Sequence, residues 1–388
     1  MMDGISIEKF WQALGSPRPA RSAGERQIEE TSAGKVNILG LALSVLVGFS
    51  GMPAEAAVRQ SYEPLFLHVA DIPLGDATSR FDYQSLDGAA HRLYIAKMGS
   101  GKLVVFDLTQ AKLASELDGF PKITGVLAVP ALHKIYASVP GAGFRASISV
   151  ALGIAGLSSG RGGVTIVDST DLHEIARLPG GVFPDGVAYD PKEEEIFVSD
   201  ELGGAVLVIN AATDRLVGRI EAGGEVGNVQ YDPLTGKIYA PVQSGNELIV
   251  IDPAKLEIVN RHPLDTGKHP HGLAIAPHSA IGYVACDGDD RLLTVDLASG
   301  KLLSGLPVGP DPDVLAIDAA ASRLYVASES GMLSSFDIAN AHAPRFLGDT
   351  FVGSNAHSVA VDPATHQLYL PLPDINGHAV MRVLMPRF

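Results

Sequence analysis

Seven positions, spaced about one repeat apart, carry most of the chemistry this chain could perform: Asp82, Thr124, Asp185, Gly227, His271, Asp313 and His357. Each lies 12 residues before an aromatic residue in a short apolar strand. Asp82, Asp185, His271, Asp313 and His357 can ionise or ligate a metal ion. Carboxylate and imidazole together suit a divalent cation, and imidazole biases the choice towards transition metals. The same groups could equally orient a polar small ligand, with Thr124 contributing a hydroxyl. A ring of like-charged carboxylates would also shift their pKa values, as functional sites often do. The competing expectation is structural, because polar residues leading into a strand also bind water or cap backbone groups.

Further groups fall in loops expected at the same end of the molecule. They include Lys97, Asp200, Glu201, Glu247, Asp287, Asp289, Asp290, Asp374 and His378. His269 is read as a solvated loop residue, and Cys-Asp-Gly-Asp-Asp at 286–290 as a solvated turn. That stretch lacks the length and the closing glutamate of an EF-hand loop. The lone cysteine, Cys286, excludes an intramolecular disulfide and is expected to behave as a small buried hydrophobe. No Walker, GxGxxG dinucleotide-binding or HExxH pattern occurs.

What must position these residues is a repeat. Its markers are Tyr94, Tyr136, Phe197, Tyr239, Tyr283, Tyr325 and Tyr369, at spacings of 42, 61, 42, 44, 42 and 44. A period near 42 over seven units, each with room for four short strands, predicts an all-β, seven-bladed β-propeller of four-stranded antiparallel blades. The 61-residue spacing holds an insertion, residues 140–162, in the second unit. It contains Arg145 and the apolar stretch Ile148 to Leu157, and is expected to overhang the channel mouth as a lid or partner surface. Third strands end in Asp107, Asp168, Asp252, Asp296 and Asp337, with Asn210 in one unit. An aspartate repeated in nearly every unit is expected to cap a turn rather than catalyse. The last unit has three strands, and residues 65–74 (LFLHVADIPL) are expected to supply its fourth and close the ring.

The IYVA-type strands and the third strands ending in Asp resemble the YVTN β-propeller repeat family, including its YncE-like members, over about residues 62–388. The resemblance implies a propeller that binds a small ligand, a metal or a periplasmic protein partner at the mouth of its central channel without catalysing a reaction. Two alternatives stay open. Propellers resembling metal-dependent lactonases hold a divalent ion at this mouth, although lactonases favour Glu and Asn as ligands where this ring has Asp and His. An accessory factor of a periplasmic redox-cofactor system rests on analogy alone.

The first 56 residues read as an extension followed by a secretory signal. Lys35 precedes the apolar run Ile38 to Phe49, and Ala54-Glu55-Ala56 follows it. A run of 12 residues is shorter than the ~20 needed to cross a bilayer, so no stable span is expected after cleavage. These features predict a single propeller domain over 57–388 in a periplasmic or secreted protein. The formal net charge of −15 disfavours nucleic acid as a partner.

Overall fold

The structure, a computed structural model, describes residues 64–140 and 162–388. Residues 1–56 with their signal-like run, and most of the insertion including Arg145, lie outside the described residues. The described chain forms seven four-stranded antiparallel sheets. Blades one to six are continuous in sequence at 84–118, 126–179, 184–221, 230–263, 270–307 and 312–351. Blade seven combines strands from 360–386 with the outer strand Phe66–Asp76, which pairs antiparallel with His378–Pro386. Innermost strands touch in cyclic order, the seventh against the first, so the blades form a closed ring.

Sequence periodicity accounts for the local structure. Second and third strands such as Arg92–Lys97 and Lys102–Asp107 are apolar on both faces because each blade is packed between two others. Outer strands such as Glu174–Pro179 alternate exposed and half-buried residues, as an edge facing water should. The repeated tyrosines are among the largest fully buried side chains. Some of their hydroxyls reach turns of the next blade: Tyr283 donates to Ala341 O at 2.9 Å, and Tyr239 to Leu297 O at 3.5 Å. One residue type thus fills the space between blades, and in those two blades it also satisfies a turn carbonyl.

Four of the five aspartates closing the third strands cap turns, while the Asp252 carboxylate holds Lys237 Nζ at 2.9 Å. Asp107, Asp168, Asp296 and Asp337 each accept a backbone N–H two or three residues on, at 2.7 to 2.9 Å, and Asn210 does the same at 2.9 Å.

Two backbone devices aim residues at the central axis. The innermost strands of blades three, five and six carry a register shift where they begin, between Pro184 and Val187, Pro270 and Gly272, and Pro312 and Leu315. A bulge at that point turns Asp185, His271 and Asp313 out of the ladder. Two positions before the mouth residue, Lys122, His269, Asp311 and Asn355 take left-handed backbone, with φ of 57, 54, 55 and 59°. Neighbouring strands also approach closely here. A Cβ on Gly272 would lie 2.0 Å from Asp313 O, so only glycine fits beside that carbonyl.

Candidate functional site

Asp82, Asp185, His271 and Asp313 converge on one cavity of about 40 Å³ at the channel mouth. That volume has room for about three water-sized groups. His357, fully buried, stands beside them with its Nε2 4.0 Å from Asp82 Oδ1. All five are at least nine-tenths buried.

The cluster has two halves. On one side, His271 Nε2 lies 3.2 Å from Asp313 Oδ1 and 4.0 Å from Asp185 Oδ2. The Tyr83 hydroxyl donates to Asp185 Oδ2 at 3.4 Å and sits 3.2 Å from the same His271 nitrogen. On the other side, Asp82, Asp313 and His357 each offer one atom within 4.8 Å of the others. Asn355 orients the histidine. Its amide Nδ2 donates to Ser79 O at 3.1 Å, which turns its Oδ1 towards His357 Nδ1 at 3.2 Å. His357 Nδ1 therefore carries the proton, and the lone pair on Nε2 faces the carboxylates. Nε2 is buried and makes no hydrogen bond.

Arg80 connects the halves. Its Nη1 bonds Glu329 Oε1 at 2.8 Å, while Asp313 and Asp82 lie farther off at 3.5 and 3.7 Å. Burial opposes its charge, yet Glu329, Asp82 and Asp313 together push the guanidinium pKa up. The carboxyl groups diverge. Burial drives Asp82 well above the usual carboxylate range, Arg80 opposes this, and Asp185 and Asp313 add to it. Burial also acts on Asp313, but the hydrogen bond and charge of His271, aided by His357 and Arg80, hold it well below that range. Burial and the Arg80 charge push His357 down to about 4, so its imidazole is neutral near pH 7. Burial and the surrounding carboxylates raise Tyr83, which stays a phenol.

Other residues expected at the mouth are placed elsewhere. The Thr124 hydroxyl donates to Pro184 O at 2.8 Å in the next blade and does not line the cavity. Gly227 packs against the His271 backbone, where a Cβ would lie 2.5 Å from the carbonyl oxygen. Lys97 turns outward, buried against Leu74 O at 2.9 Å and Glu116 at 2.7 Å. Asp200 accepts the Val182 and Phe183 N–H groups at 2.7 and 2.8 Å, bracing the loop before Asp185. His269 is half-buried and held by carboxylates rather than free in solvent. Its ring lies between Asp287, at 2.6 Å, and Glu225, at 3.4 Å. Asp289 and Asp290 cap the backbone N–H groups of Lys268 and Asp311, as a turn should, and Cys286 is fully buried.

Sequence reasoning missed Arg80, Tyr83, Glu329 and Asn355. Glu329 had a signal, for it follows Tyr325 by four residues as Glu201 follows Phe197 and Asp287 follows Tyr283. Arg80 and Asn355 share the position two before the mouth residue, which Asp311 also fills. Tyr83 carries no repeat signal, since it follows Asp82 where Gly186, Gly272 and Val314 follow their own mouth residues.

The fold and site define a seven-bladed β-propeller with a buried, carboxylate-rich cluster at its axis. The chain matches no family model, and no curated protein resembles it at the level of sequence. Among solved structures it is similar to a chain of Kuenenia stuttgartiensis hydrazine synthase, with a TM-score of 0.62 and 15% identity over 81% of this chain and 97% of that one. At that identity the likeness concerns the fold alone. Among the described residues, no helix is long and apolar enough to cross a membrane.

Proposed function

We propose that this propeller is a binding protein of YVTN/YncE-like type whose channel mouth takes a small, positively charged ligand. One observation carries the reading: seven of the fourteen residues lining the cavity are Asp or Glu, against one arginine and one histidine. Carboxylates gathered within low-dielectric walls focus a negative potential and raise the local concentration of cations. The cavity of about 40 Å³ limits what enters fully to an ion or the charged head of a larger molecule. The Tyr83 hydroxyl and His271 then serve as hydrogen-bonding wall. The reading includes export, on the strength of the apolar run before Ala54-Glu55-Ala56, and cell fractionation tests that part.

Calorimetric titration of the full chain with methylammonium, with divalent cations and with inorganic phosphate tests the ligand class. Binding of a cation, weakened in Asp185→Asn and Glu201→Gln, supports it. Phosphate binding without any cation binding would overturn it.

A metal-dependent hydrolase is the second reading. It is favoured by the Tyr83 hydroxyl and His271 Nε2, 3.2 Å apart beside the carboxylates, where a substrate oxygen could be hydrogen-bonded while a carboxylate takes a proton from water. Turnover on a panel of lactones, lost in Tyr83→Phe, would favour this reading over pure binding.

A further inference from the structure

Beside the cavity, His357 Nε2 is a buried acceptor without a hydrogen-bond donor, and it stands next to Asp82 and Asp313. Resting on the cation-binding reading, we propose that Asp82, Asp313 and His357 form a site for a single divalent first-row transition-metal ion, while Asp185, His271 and Tyr83 form the wall facing it.

Three observations carry this. The three ligand atoms come from blades one, six and seven and lie within 4.8 Å of one another, so a modest contraction would bring them round one ion. His357 Nε2 is fully buried, makes no hydrogen bond and faces these carboxylates. A buried lone pair without a donor is costly, and a metal ion satisfies it. Behind it, Ser79 O, Asn355 and His357 Nδ1 form a relay at 3.1 and 3.2 Å that fixes the ring and its tautomer. Such outer partners accompany histidines that bind metals.

Arg80 does not preclude the ion. Its short bond goes to Glu329 at 2.8 Å, while its contacts to Asp313 and Asp82 are long at 3.5 and 3.7 Å. The donor set decides the ion: one imidazole among carboxylates favours Zn²⁺ or Mn²⁺ over Ca²⁺, with Zn²⁺ held more tightly than Mn²⁺. Room left in the cavity admits a water or a ligand oxygen as a further donor.

The test is equilibrium dialysis of the full, chelator-stripped chain against Zn²⁺, Mn²⁺ and Ca²⁺, read by elemental analysis. One Zn²⁺ per chain is expected, with Mn²⁺ weaker and Ca²⁺ negligible. His357→Gln should lower Zn²⁺ affinity by more than about a hundredfold, and Asn355→Ala, which only releases the ring, by about tenfold to a hundredfold. Circular dichroism establishes that each variant keeps the β-fold, and Asn355→Ala serves as the test should His357→Gln misfold. A second cluster, Asp168, Asp171 and His173, is exposed and provides the control. Zn²⁺ binding that survives His357→Gln and Asn355→Ala, or that is lost in His173→Ala, overturns the proposal. So does the absence of stoichiometric binding. If Zn²⁺ fails but methylammonium binds, the metal site is wrong and the cation-binding reading stands. If neither binds, the reading fails with it.

Discussion

Two positions recur around the ring, and they differ in what recurs. At the ends of the third strands the chemistry is nearly constant: Asp107, Asp168, Asp296 and Asp337, with the near-isostere Asn210, each accept a turn N–H, and Asp252 keeps the residue type while pairing with Lys237. At the channel mouth the backbone position is constant and the chemistry varies, through Asp, Thr, Gly and His. The turn aspartates stand apart from one another at the ends of separate blades. The mouth residues meet, so that Asp82, Asp185, His271 and Asp313 share one cavity. A residue repeated with its chemistry intact serves each repeat separately. A position repeated with varied chemistry builds one asymmetric site out of symmetric parts.

The most disruptive way to break the mouth is through its backbone. A Cβ on Gly272 would meet Asp313 O at 2.0 Å and Leu315 Cδ1 at 2.6 Å. The carbonyl is backbone and cannot turn aside as a side-chain tip can. Gly272→Ala is expected to cost about 3 kcal/mol in chemical denaturation, through overpacking. Cation binding should be lost in whatever remains folded, because His271 and Asp313 flank the clash. A variant with native stability would show that the inner strands are not so closely set.

Single side chains sharpen the contrast, since the two positions should respond in opposite directions. Asp296→Ala removes acceptors for the Ser299 N–H and hydroxyl, both at 2.9 Å. It should lower stability by about 1 kcal/mol and leave cation binding unchanged. Asp82→Asn removes a carboxyl that burial, Asp185 and Asp313 all disfavour in its charged form. In metal-free protein at pH 7 it should raise stability by about 1 kcal/mol while weakening binding at least tenfold, the usual trade between a strained site and stability. Paired melts and titrations decide the matter. If Asp82→Asn destabilises the fold as Asp296→Ala does, the mouth aspartate is structural too.

The repeat made the fold legible because blade architecture depends on properties that alternate along the chain, namely apolar strands, turn residues and an aromatic per unit. The five ionisable mouth residues were legible because blade symmetry superimposes their positions. Tyr83 was not, for it breaks that symmetry, and Arg80 and Asn355 were not because the residue at their shared position changes from blade to blade. Arg80 and Tyr83 reach the axis from blade one alone, and Asn355 is defined by what it grips, Ser79 O and His357, rather than by its type. Lys97 and Asp200 misled for the converse reason. Each sits in the right loop but turns its charge to a local backbone or ion-pair partner. Burying a charge without a partner costs more than its placement in a loop can dictate.

The smallest expected effect lies at the seam where blade seven joins the two ends of the described chain. Arg382 grips Asp71 with two bonds, Nε to Oδ1 at 2.8 Å and Nη2 to Oδ2 at 2.5 Å, across 311 residues of sequence. The Arg382 hydrogen bonds, opposed by partial burial and helped by His68, hold the Asp71 pKa down to about 2. A carboxylate whose folded pKa is depressed stabilises the fold above its unfolded pKa of about 3.9. That contribution should therefore be complete at pH 5 and above, and decline as pH falls from about 4 towards 2. Its size should be about 1 kcal/mol or less, since a quarter of the Asp71 side chain meets water. Asp71→Asn should lower the melting temperature at neutral pH and match the parent near pH 2, with cation binding unaltered throughout. A deficit that persists at pH 2 would mean that the strand Phe66–Asp76 is held by its ladder and packing, with the ion pair adding nothing to the seam.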